Sequence, residues 1–225
     1  MAEQDVMIEN LFSIGPVTIT ETVGTTWLIT GVLWFLAWLI SRNLKNDPGP
    51  FQAAVEGIII AIEEAIREVS PQHARHILPF IGSLWIYLVV ANLMGLVPGL
   101  HSPTRDLSAT AALAVLVFLS THWYGIRIEG TGSYLRHYLT PSPILLPFHI
   151  ISEITRTIAL AVRLFGNMMS LEMAALLILL VAGFLAPVPI LMLHIIEALV
   201  QAYIFGMLAL IYVAGGIQSQ QHRHK

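Results

Sequence analysis

TVGTTWLITGVLWFLAWLIS, residues 22–41, contains no charged side chain. A hydrocarbon layer of about 30 Å is crossed by about 20 apolar residues in a helix, so the stretch is long enough to span a bilayer. The whole chain shares this character. Of its 225 residues, 56% are hydrophobic and 11% charged, with a mean hydropathy of +0.75, whereas soluble proteins carry about a quarter charged residues. That is far too apolar for a soluble domain of this length. No nucleic-acid partner is expected. With no cysteine, disulfides and thiolate metal sites are excluded.

The remaining spans are read as further gaps between charges. Residues 77–100 and 107–126 are uncharged, the second containing His122 close to one end. A polar stretch with Gly and Pro, RIEGTGSYLRHYLTPSP at 127–143, precedes a long segment at 144–185; APVP at 186–189 then opens a last helix, 188–217. The expected fold is an all-α membrane protein with five crossings in one domain, preceded by an outside segment, 1–21. Between PGP at 48–50 and Pro71, residues 51–70 place Phe51, Val55, Ile59, Ile62, Ile66 and Val69 on one stripe, with Glu56, Glu63 and Arg67 opposite. A period of 3.6 with one apolar face predicts a helix lying at the membrane surface or packed on another subunit.

Orientation follows from the basic residues. Arg42, Lys45, Arg67, Arg75, Arg127, Arg136, Arg223 and Lys225 fall in loops on one side, and Arg105 alone on the other. This predicts a cytoplasmic C-terminus and an outside N-terminus. The acidic start, MAEQDVMIEN, lacks the basic region of a typical cleaved signal peptide. No internal repeat is evident, which argues against transporters built from duplicated halves.

Arg156 and Arg163 lie inside the fourth span. An arginine at that depth costs at least ~2.5 kcal/mol on insertion scales and normally faces a partner or a water-filled cavity. At 100° per residue, Ser152, Arg156, Arg163, Asn167 and Ser170 fall within about 60° of one another. Glu153 is turned about 80° from Arg163 and Glu172 about 180°, so the arginine has no carboxylate on its own face. Its partner must come from elsewhere. On the last span, His194, Glu197 and Gln201 lie within about 60° of each other. Titratable and amide groups at such intervals suit a proton or cation path, although His194 and Gln201 also suit plain helix-to-helix hydrogen bonding. The histidines of HARH, 73–76, and HRHK, 222–225, read as interfacial and tail residues, since no carboxylate or cysteine completes a ligand set. No metal or cofactor is expected.

VRLFGNMMSLE at 162–172 and LHIIEALVQAYIF at 193–205 resemble subunit a of the F-type ATP synthase, the stationary membrane subunit beside the rotating c ring. FIGSLWIYLVVANLMGLVPG at 80–99 and PTRDLSATAALA at 103–114 stand in the family's order, and the resemblance runs from about Phe80 to Val213. It implies a non-catalytic subunit of a bacterial plasma membrane complex, with the c ring, b-type peripheral stalk subunits and lipid as partners and a proton or sodium ion as cargo. By resemblance, Arg163 faces the c-ring carboxylate and separates two half-channels. Asn167, Glu172, His194 and Gln201 then line the outer entrance or lie near the arginine, with Glu197 one turn beyond His194. Glu153, Glu56 and Glu63 are candidates for the cytoplasmic exit by position. A tight straight hairpin turning at Pro187 would set Glu172 level with about Tyr203, near Gln201, and leave Arg163 some 16 Å away at 1.5 Å per residue. The family reading instead brings Gln201 near Arg163, which needs a strongly tilted hairpin or an open loop around Gly183 and Pro187. A stand-alone ion-coupled transporter, binding an anionic substrate at Arg163, is the alternative of another class; a purely structural scaffold leaves the arginine unexplained.

Overall fold

A computed structural model describes residues 10–14, 17–45, 49–97, 100–130, 146–182 and 188–218. Residues 131–145, residues 183–187 with Gly183 and Pro187, and the HRHK tail lie outside the described residues. Two short antiparallel strands, β1 (Asn10–Ile14) and β2 (Val17–Thr20), come first. Among the described residues six α-helices follow: α1 (Glu21–Arg42), α2 (Pro50–Val69), α3 (Ala74–Met94), α4 (Leu107–Glu129), α5 (Leu146–Ala182) and α6 (Val188–Gln218). All but α2 are long and apolar enough to cross a membrane.

Local chemistry sets the ends. Pro50 occupies the first position of α2, where a missing N–H is harmless, and Pro71 follows directly on its C-cap. Asp106 caps α4 by accepting from the Ser108 N–H at 2.9 Å, and Gly130 ends it at φ +84°, a conformation that glycine adopts freely. α3 stops at Met94, short of the span to residue 100 read from the sequence. The charge gap continues through GLVPGL, a sequence in which glycine weakens a helix and proline removes a backbone donor and disfavours helix at the residue before it.

The core lies where α3, α4, α5 and α6 meet. Ile77, Ile81 and Leu88 of α3, Val117 of α4, Leu164 and Met168 of α5, and Phe205, Leu210 and Val213 of α6 are fully buried there. Ala198, Ala202, Gly206 and Ala209 give α6 a buried face of small residues, which lets a neighbouring helix approach closely. Trp85 of α3 fills that space, its ring stacked on Tyr203 at 5.8 Å. α1 is peripheral, with only Thr25 and Ile29 buried, and stands off from α3 and α4 across a cleft of about 830 Å³. α2 packs Ile62, Ile66 and Val69 inward and leaves Phe51 and Ile59 exposed, so its apolar stripe is half internal and half outward. α5 has 37 residues and α6 has 31, roughly 56 and 47 Å of helix. Such lengths fit a layer of about 30 Å only by inclining to its normal or extending past it.

Candidate functional site

Arg163 is exposed on α5, and among the described residues it makes no hydrogen bond or ion pair. Elsewhere the exposed surface of α5 and α6 is largely apolar: Ile158, Val162 and Met169 of α5 and Val200 and Tyr203 of α6 are all exposed. Ser152, Arg156 and Ser170 are exposed with it, and Asn167 is half-buried. The polar stripe read at 100° per residue is therefore one outward face.

Two contacts fix how α5 and α6 run past each other. The Asn167 Nδ2 donates to Gln201 Oε1 at 2.6 Å, and the Arg156 guanidinium lies 4.7 Å from the centre of the Tyr212 ring. Each step toward the N-terminus on α5 is matched by one toward the C-terminus on α6, so the register is constant over about 16 Å of helix. Gln201 stands one turn from Arg163. Asn167, and not Glu172, is level with it, which is the register that brings Gln201 near Arg163 and not that of a tight hairpin turning at Pro187.

Gln201 is 1% exposed, and its Nε2 has no partner among the described residues; the same is true of Nε2 of the buried His194. Both face the interior, two turns apart on one side of α6. Glu172 and Glu197 lie within electrostatic reach of the His194 ring, which also sits against Gly95. Glu197 is half-buried.

Glu172 is engaged by the connection between α3 and α4. Its Oε1 accepts from Arg105 Nη1 at 2.7 Å and lies 3.0 Å from His101 Nδ1. A buried polar lattice holds that loop in place. Thr104 Oγ1 donates to Asn92 Oδ1 at 2.8 Å, Ser102 Oγ to the Ala91 carbonyl at 2.8 Å, and Asn92 Nδ2 to the Ala198 carbonyl at 3.1 Å. On the opposite half, Glu153 Oε2 lies 3.2 Å from Nε2 of His122 on α4. Glu56 accepts from Gln52 at 2.7 Å and Glu63 from Arg67 Nε at 3.0 Å, so these two acids have partners within α2 itself.

Arg105, His101, Asn92 and Thr104 were not among the candidate site residues read from sequence, because their partners lie on other elements. The signal for Arg105 was its isolation as the single basic residue on its side. His122 stood out as a histidine inside a span.

A charge displayed on the outside of a membrane helix bundle calls for a partner or a water-filled cavity, as in the subunits of membrane assemblies. The family model described as ATP synthase A chain matches residues 23–214. ATP synthase subunit a 2 of Pelobacter propionicus is 64% identical over 213 residues, covering 95% of this chain and 93% of the relative. ATP synthase subunit a 1 of Hahella chejuensis is 68% identical over 205 residues, covering 91% and 87%. ATP synthase subunit a of Legionella pneumophila is 54% identical over 222 residues, covering 98% and 96%. The chain belongs to this family, subunit a of F-type ATP synthases: a multi-pass membrane protein that works in complex with other ATP synthase subunits.

Proposed function

We propose that this subunit translocates ions as the stator of a rotary ATP synthase, with Arg163 facing the carboxylates of a c ring and separating two half-channels. The observation that carries the reading is Arg163 itself: exposed and without a partner among the described residues, on a long helix whose other exposed side chains are largely apolar. In such surroundings the attraction between a guanidinium and a passing carboxylate is far larger than in water. A carboxylate beside the arginine is held ionised and gives its ion to the channel open on one side. It takes another from the opposite side before re-entering lipid. The fixed positive charge blocks direct passage between the two.

Glu172, His194 and Glu197 form the outer entrance, with Asn167 and Gln201 between it and the arginine. Glu153 with His122 is the candidate for the cytoplasmic exit, with Glu56 and Glu63 further along that side. The subunit performs no ATP chemistry of its own. It sits in a bacterial plasma membrane with its N-terminus outside and C-terminus inside, beside b-type stalk subunits and lipid, and carries a proton or a sodium ion.

The test is ATP-driven ion pumping in membranes containing the assembled complex. Arg163→Ala is expected to abolish pumping and to raise passive permeability. Arg163→Lys should also fail, because a compact ammonium does not reproduce a planar guanidinium. A lysine variant pumping at the normal rate would remove the assigned role.

A further inference from the structure

We infer that Arg105 is a positioning residue for ion entry: it holds the Glu172 carboxylate at the outer mouth and balances its charge, with His101 as a second donor to the same oxygen. This rests on the proposal that Glu172 belongs to the entry path. Arg105 ends a three-residue 3₁₀ turn, Pro103–Arg105, whose neighbours are pinned in two directions. Before it, Ser102 and Thr104 turn inward and are buried, bonded to each other at 2.7 Å and to α3. After it, Asp106 caps α4 and accepts from Thr22 Oγ1 of α1 at 3.0 Å. From between these anchors the Arg105 guanidinium reaches Glu172 of α5.

Arg105 and Glu172 are each about a quarter exposed, 24% and 23%. They are too enclosed for a loose surface pair, and a charge-assisted bond in partial burial fixes geometry. The same lattice reaches α6 through the Ala198 carbonyl, one residue from Glu197. The loop thus ties the acid of α5 to the helix carrying His194 and Glu197. Without Arg105, Glu172 loses its permanent counter-charge and keeps only the exposed His101 imidazole to hold it in that position.

The experiment compares Arg105→Gln, Arg105→Lys, Glu172→Gln and the Arg105→Gln/Glu172→Gln double in the assembled complex, reading ATP-driven pumping per assembled complex. Arg105→Gln is expected to slow pumping at least about threefold through misplacement of the acid, and Arg105→Lys, which keeps the charge, to recover most of the rate. The double should match Glu172→Gln alone within about a factor of two, because residues acting through one another are not additive. Should Arg105→Gln fail to assemble, the double is expected to assemble, since the stranded charge goes with it. The inference is overturned by a normal rate in Arg105→Gln, by a double slowed by the product of both single effects, or by a double that fails to assemble where Glu172→Gln succeeds. Normal pumping in Glu172→Gln is a separate result: it removes that acid from the entry path, and the inference with it.

Discussion

Gly206 is a position on α6 where a methyl group is too large. A Cβ there would overlap the Trp85 indole, which occupies the space that the missing side chain leaves. Overpacking a filled core costs roughly 1–3 kcal/mol, so Gly206→Ala should lower the thermal stability of the purified complex. Trp85→Leu should relieve part of that loss: the double variant is expected to be more stable than the sum of the two single changes, and strict additivity would show that the indole is not what the methyl group meets. The candidate site divides in the same way between what periodicity reveals and what contact reveals. Arg163, Asn167 and Arg156 share a face because 100° per residue puts them there, and the lines through His194 and Gln201 were legible for the same reason. That Glu172 meets Arg105, 67 residues away, or that Thr104 meets Asn92, depends on how a loop folds back, for which a helical period carries no information.

Among the helices, gaps between charges located all five apolar segments, and the amphipathic period located α2. The β1–β2 pair went unread because its short strands carry no signal of that kind. α3 was drawn too long because absence of charge measures polarity and not the backbone limits set by glycine and proline. The mutual register of α5 and α6 was not legible either, since it depends on the turn between them and on side chains meeting across the interface. It can be tested directly, because the chain contains no cysteine. The pair Asn167→Cys with Gln201→Cys should be joined efficiently by a short thiol cross-linker, with the linked peptides identified by mass spectrometry. The pair Glu172→Cys with Tyr203→Cys, level with each other in a tight hairpin turning at Pro187, should link poorly. A reversed preference would put the two helices in the other register.

For the whole molecule, eight basic residues on one side against Arg105 on the other predict how the bundle sits in its membrane. A membrane-impermeant thiol reagent should label Thr20→Cys in intact cells, and Lys45→Cys only after the membrane is opened; the opposite pattern would invert the topology. The bundle also has a mechanical consequence. Between the Asn167–Gln201 bond and the Arg156–Tyr212 contact, the backbone carrying Arg163 is braced at both ends of a segment about 16 Å long, while the arginine's own stem is untethered among the described residues. That is a stiff mount with a compliant tip. In the proposed role, a counter-charge sliding past would draw the tip after it, and the sideways load would pass through the two braces into α6 and from there into α3, on which α6 is packed through Trp85. Loosening either brace would leave the charge in place and soften its mounting, so that part of each stroke would go into bending the stator and less into moving the load.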